Sequence, residues 1–209
     1  MKPQEFNTTV PSKRAWQRML SGRRLDLLNP APADIEISDI AHGLARVARW
    51  NGQTLGEHAF SVAQHSLVVD EIAGARNPEW PAQWRLAALL HDAAEYVIGD
   101  LISPFKTAIG LDYKAFELRL LAAIHVRFGL APQPPERVQA EIKVADRIAA
   151  FFEATRLAGF GKEEATTFFG NPDGLCSAVA DRLDKLAPLP AGEAQRKFLE
   201  QFRTLTERV

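Results

Sequence analysis

Apolar residues recur with the period of an α-helix over most of this chain. From Asp39, the residues Ile40, Leu44, Val47 and Ala48 fall at helical spacing, with Ser38 as the capping residue and Asn51-Gly52 as the stop. A second helical pattern runs from about Glu57 to Ala75 and ends at the breaker segment Asn77-Pro78-Glu79-Trp80-Pro81. The third, about 82 to 98, holds the run Leu86-Ala87-Ala88-Leu89-Leu90, apolar on more than one face, which predicts the buried central helix. Ser103-Pro104 pairs a cap residue with proline at the first helical position and opens a periodic stretch to about Phe128. After the Pro132 to Pro135 turn, an amphipathic stretch extends from Glu136 to about Leu157 and closes at Gly159 and Gly161. Two shorter patterns follow, about 173 to 187 and 191 to 206, separated by Pro188 and Pro190.

No convincing strand alternation interrupts these patterns, apart from a trace over Ile35 to Ile37, so the expectation is an all-α, single-domain helical bundle. Residues 1–37, punctuated by Pro3, Pro11, Pro30 and Pro32, read as an N-terminal covering arm with one short helix. Residues 38–160 form the core, and 161–209 supply C-terminal helices packed on the same domain.

Composition narrows the class. Lys and Arg number 25 against 26 Asp and Glu, so no global basic field gathers a nucleic-acid polymer, and an anionic ligand needs a local site. The single cysteine, Cys176, cannot form an internal disulfide and reads as a small core residue in a reducing cytoplasm. No signal-peptide pattern and no run of about twenty apolar residues is present, so the expectation is a soluble cytoplasmic protein with no membrane partner.

Five histidines, at 42, 58, 65, 91 and 125, are few enough to weigh singly. His91 and Asp92 end the apolar run Leu86 to Leu90, an expensive place for an imidazole and a carboxylate without partners, and a divalent cation compensates both. The plain alternative is a buried His-Asp hydrogen bond. Glu95, four residues after His91 and three after Asp92, falls on the same side if that stretch is helical, where a group acting on metal-bound water belongs. His58 and His65 are seven residues apart and share one face of the preceding expected helix. Asp146 breaks the apolar run of the 136–157 stretch. One of those two histidines, the His91-Asp92 pair and Asp146 make two imidazoles and two carboxylates from three helices. Their charges balance one divalent ion and leave positions for water. His42 reads as an ordinary half-buried histidine, and Lys106 and Lys143 as solvated cations able to add local positive charge.

An H, then H-D, then a distant D on successive helices resembles the HD superfamily of metal-dependent phosphohydrolases, and most closely the bacterial HD-domain 5'-deoxynucleotidases. The segments that carry the resemblance are Arg49-Trp50, Gln64-His65-Ser66, His91-Asp92-Ala93-Ala94-Glu95, Gly99-Asp100-Leu101 with Pro104-Phe105-Lys106, and Ala145-Asp146. They span about 40 to 160. Gln64 stands where those enzymes more commonly carry an acidic residue. The resemblance implies an HD-type bundle with one metal held by His65, His91, Asp92 and Asp146, and it keeps His58 as the alternative first ligand. It gives Glu95 the work on water, Asp100 a hold on water or substrate, and Arg49 with Trp50 the contacts to phosphate and sugar. Two-metal members need extra histidines between the H-D pair and the last Asp, and only His125 is available, so one ion is expected, as Mn, Co, Mg, Zn, Ni or Fe. The implied activity is hydrolysis of a small-molecule phosphoester, a (deoxy)nucleoside 5'-monophosphate first, and a homodimer fits the resemblance. The rivals are hydrolysis of a nucleoside triphosphate or another small phosphoester, an inactive nucleotide-binding HD module, and a purely structural helical protein.

Overall fold

The computed structural model describes residues 15–100 and 111–207. Its regular structure is mostly helical. A short antiparallel hairpin, β1 (Trp16–Arg18) and β2 (Arg24–Asp26), pairs Gln17 with Leu25 and opens the described chain. Helices α1 (Ile37–Leu44), α2 (Val62–Arg76), α3 (Ala82–Leu89), α4 (Glu95–Ile98), α5 (Leu111–Arg127), α6 (Glu136–Arg156), α7 (Lys162–Phe169), α8 (Ser177–Leu183) and α9 (Ala191–Thr206) follow. Among the described residues no helix is long and apolar enough to cross a membrane. The expected helix start at Ser103-Pro104, the segment Pro104-Phe105-Lys106 and most of the arm before Ala15 lie outside the described residues.

The central helix is α2 rather than the 82–98 stretch. Ser61 caps it, its side chain accepting from the Gln64 N–H, and eleven of its fifteen residues are buried, among them Val62, Val69 and Ile72. It packs on α3, α6 and α9. Because α2 begins only at Val62, His58 precedes it, and the shared helix face expected for His58 and His65 does not exist. The 82–98 stretch is broken as well. Past Leu89 the backbone closes tight three-residue bonds, Ala93 N to Leu90 O at 2.9 Å and Glu95 N to Asp92 O at 2.9 Å, so His91 and Asp92 sit on a turn between α3 and α4. That turn tips both side chains out of the apolar run that precedes them.

Other expectations shift in detail. The first helix starts at Ile37 with Glu36 in the cap position, so Ser38 lies inside the helix, and it ends at Leu44. The arm holds the β1–β2 hairpin and a 3-10 turn, Pro32–Asp34. Cys176 is exposed, in the cap position of α8, and the first buried residue after it is Val179.

Gly43 brings α1 against α4, because a Cβ at that position would lie 2.8 Å from Tyr96 Cβ. This close approach sets α4, and with it Glu95, against the body of the bundle. The C-terminal helix α9 fills the space between α1, α2 and α3 with Ala194, Phe198 and Phe202, all buried. Burying such an aromatic ring is among the largest single contributions a core residue makes. Phe198→Ala is therefore expected to lower the unfolding free energy by about 3–5 kcal/mol, measured by denaturant titration. A change under about 1 kcal/mol would show that α9 is peripheral.

Candidate metal centre

Three elements bring the ligand atoms together. Ser61 starts α2 so that His65 falls one turn in, the turn after α3 turns out His91 and Asp92, and the apolar face of α6 is interrupted at Asp146. His65, His91 and Asp146 form a group that could hold a metal ion, with one ligand atom of each within 4.8 Å of the others. The Nε2 atoms of His65 and His91 lie 3.3 Å apart. Asp146 Oδ1 is 3.4 Å from His65 Nε2, and Asp92 Oδ2 is 3.4 Å from His65 Nε2 and 3.2 Å from His91 Nε2.

The donor chemistry fits a cation. His91 Nδ1–H donates to the Ala88 carbonyl at 2.9 Å, and His65 Nδ1–H donates to Glu153 Oε1 at 2.6 Å. In the neutral rings both Nε2 atoms then carry lone pairs that face each other and two carboxylates. Only a proton or a metal ion relieves that arrangement. Lys143 Nζ, on the exposed rim, reaches Asp146 Oδ2 at 2.6 Å.

Glu153 is the residue that sequence reasoning missed. It is completely buried on α6 and serves three donors: His65 through Oε1, and Arg49 Nε and Trp50 Nε1, each at 2.9 Å, through Oε2. Its signal was present, since it interrupts the run Ala149-Ala150-Phe151-Phe152 on the same helix face as Asp146, seven residues on.

Arg49 and Trp50 reach the centre through local pairing and an unusual turn. Ala48 bridges Ser61 in antiparallel fashion and Arg49 N–H donates to Phe60 O at 2.8 Å, which lays residues 47–49 beside the start of α2. Trp50 (φ 57°) and Asn51 (φ 50°) are left-handed, a conformation that residues other than glycine rarely adopt. The guanidinium, tied by Nε, places Nη1 3.8 Å from both Asp92 Oδ2 and Asp100 Oδ2. The Trp50 indole carries the rings of Phe160 and Phe169 at 5.7 and 5.9 Å. Glu95 is buried at the start of α4.

The remaining histidines stay apart from this group. His58 lines a shallow surface pocket of about 320 Å³ with Arg46, Glu57 and Leu189. His42 is half-buried on α1. His125 is buried, with Nδ1 on the Pro132 carbonyl at 3.2 Å, and burial lowers its pKa despite that bond.

Burial works against every charge here, and the charges answer one another. Burial and then Arg49 oppose protonation of His65, yet Glu153, Asp146 and Asp92 outweigh them and hold its pKa well above the usual imidazole value. Burial would raise Glu153, but Arg49 and His65 bring it down to about 2. Asp92 and Asp146 are likewise held below the ordinary carboxylate range by the two histidines, against their own desolvation. Burial also disfavours the Arg49 cation, and Glu153, Asp92, Asp100 and Asp146 more than compensate.

A raised imidazole pKa stabilises the metal-free fold fully below the unfolded value and loses that contribution as pH rises through the folded one. A proton and a metal ion compete for His65 Nε2, and the raised pKa strengthens the proton's side of that competition. Metal uptake near neutral pH is expected to release protons and to weaken as pH falls. Calorimetry in two buffers of different ionisation enthalpy measures the release, and a heat independent of buffer would contradict it.

Comparison with known proteins places the chain among relatives. No family model matches it. It is 60% identical over 161 residues to the uncharacterized protein RCAP_rcc00048 of Rhodobacter capsulatus, covering 77% of this chain and 82% of the relative. It is 30% identical over 174 residues to the uncharacterized protein YfdR of Escherichia coli, covering 83% and 86%. Among solved structures, the HD phosphohydrolase DatZ of cyanophage S-2L, bound to dA and one catalytic Zn2+ ion, aligns with a TM-score of 0.46 at 19% identity over 84% of this chain and 99% of that one. At the identities and coverage of the first two, the chain belongs to the family that includes RCAP_rcc00048 of Rhodobacter capsulatus and YfdR of Escherichia coli.

Proposed function

We propose that this chain is a metal-dependent phosphohydrolase of the HD superfamily that removes the 5'-phosphate from a nucleoside monophosphate, with the deoxy form preferred. The observation that carries the reading is a cationic fork beside a metal-ligand cluster. Arg49, anchored by Nε, turns the outer end of its guanidinium toward Asp92 and Asp100 at 3.8 Å, next to His65 and His91. A planar array of donors suits phosphate oxygens, and the adjoining cluster suits a divalent ion.

In this reading His65, His91, Asp92 and Asp146 hold one ion of the Mn, Co, Mg, Zn, Ni or Fe type. When bound, that ion polarises the phosphoryl oxygen and acidifies a coordinated water. Glu95 takes the proton from the attacking water; its buried place at the head of α4, directly after the turn that carries His91 and Asp92, supports this role. Arg49 binds the phosphate, and Asp100, facing the same guanidinium, helps hold water or substrate. Trp50 presents an apolar wall to the sugar, backed by Phe160 and Phe169. The substrate is a small molecule held by this local cluster rather than a polymer.

The test is phosphate release from matched deoxy- and ribonucleoside 5'-monophosphates by metal-loaded protein. Wild type is expected to turn over the deoxy series faster. Glu95→Ala is expected to keep its metal and lose about 10²-fold or more in kcat. Turnover of nucleoside triphosphates alone would replace the monophosphate reading, binding without turnover would make the chain a nucleotide-binding module, and full activity of Glu95→Ala would remove Glu95 from the chemistry.

A further inference from the structure

Arg49 and Trp50, adjacent on one turn, and His65, on α2, are all touched by a single carboxylate. Glu153 Oε1 accepts from His65 Nδ1–H at 2.6 Å, while Oε2 accepts from Arg49 Nε and from Trp50 Nε1, both at 2.9 Å. None of its surface is exposed. From these contacts we infer that Glu153 is the positioning residue of the centre: it holds His65 with Nε2 toward the metal position and, through its other oxygen, sets Arg49 and Trp50, so that metal ligand and substrate clamp are registered against one group. The inference rests on the metal-centre reading above and extends it to a residue outside the ligand set.

Donors and acceptors fix these roles. A carboxylate can only accept, so in the ligating, neutral ring the His65 proton must lie on Nδ1 and the lone pair on Nε2. A ligating histidine held in this way by a carboxylate is fixed in both tautomer and orientation. On the other side, the bond to Nε consumes the inner edge of the Arg49 fork and leaves the outer nitrogens for an anion. Trp50 sits in a left-handed conformation followed by another at Asn51, and the indole N–H bond to Glu153 is one of the contacts that hold it there, with the rings of Phe160 and Phe169.

Glutamine cannot replace Glu153. Its side chain offers one acceptor oxygen and one donor NH2, so if the oxygen faces His65 the NH2 confronts two N–H donors, and if it is flipped the NH2 confronts Nδ1. One side of the registration is lost in either arrangement. A merely structural buried carboxylate behaves differently, and Asp70 provides the control. It is 2% exposed, bonds Arg85 at 2.6 and 3.0 Å and Gln201 at 2.6 Å, and touches none of the centre.

The experiment compares Mn2+ affinity, by calorimetry at fixed pH, in wild type, Glu153→Gln and Asp70→Asn, alongside nitrogen NMR of the histidine rings in the Zn2+-loaded wild type. Glu153→Gln is expected to bind Mn2+ about 10–100-fold more weakly, and Asp70→Asn to bind as wild type does even where it lowers the melting temperature. The Zn2+-loaded wild type is expected to show a hydrogen-bonded proton on His65 Nδ1. Mn2+ affinity in Glu153→Gln within twofold of wild type overturns the inference, as does a His65 proton on Nε2. The NMR measurement decides alone if Glu153→Gln does not fold. Wild type that shows these metal properties but hydrolyses no phosphoester overturns the proposed activity and leaves Glu153 in its role, whereas wild type that takes up no Mn2+ overturns both.

Discussion

A carboxylate shut off from water must find donors or give up its charge, and Glu153 meets that demand from three directions at once. Arg49 is equally constrained: its side chain is 13% exposed and its charge is stabilised by the carboxylates around it. Neither group is tolerable in that place without the other, so the geometry of the centre is set by mutual compensation rather than by packing alone. The left-handed turn at Trp50 and Asn51 follows from the same demand, because it lets two adjacent side chains reach one buried oxygen. Once Arg49, Trp50 and His65 are tied to Glu153, the approach of α2 to α6 is fixed, and with it the separation of His65 from Asp146.

The chain's helical periodicity made the bundle legible, and the clearest case is α6. Its observed range, Glu136–Arg156, agrees with the expected stretch to within a residue because Pro135 opens it and Gly159 follows its end. The breaks were less visible. Apolar Leu86 to Leu90 reads straight through into Ala93-Ala94, and nothing in that composition announces the tight turn that carries His91 and Asp92. In the same way, Ala59 and Phe60 extend the apparent periodicity before α2, although Phe60 accepts from Arg49 N–H, Ser61 bridges Ala48, and the helix waits for Ser61. Helix α7 escaped notice because Lys162-Glu163-Glu164 and Thr166-Thr167 leave few apolar positions, although its Phe169 packs on Trp50.

The site shows the same division. Histidine and aspartate pairs in apolar surroundings stand out one by one, and the chain brings His65, His91, Asp92 and Asp146 to one place while His58 opens onto another pocket. Glu153 did not stand out, because a glutamate on a long helix reads as a solvated face until its neighbours Phe151, Phe152 and Ala154 are recognised as core on every side. A charged residue flanked by buried apolar ones was the signal that marked Asp146, and it applies with more force at Glu153.

Where a divalent ion binds decides whether these side chains form a metal centre. Crystals of the Mn2+-loaded protein, with the ion located by anomalous scattering, give the direct answer. One ion at roughly 2.0–2.4 Å from His65 Nε2, His91 Nε2, Asp92 and Asp146 is the predicted result, with Glu153 still on His65 Nδ1. An ion at His58, or a His65 ring turned away from the ion, would contradict it.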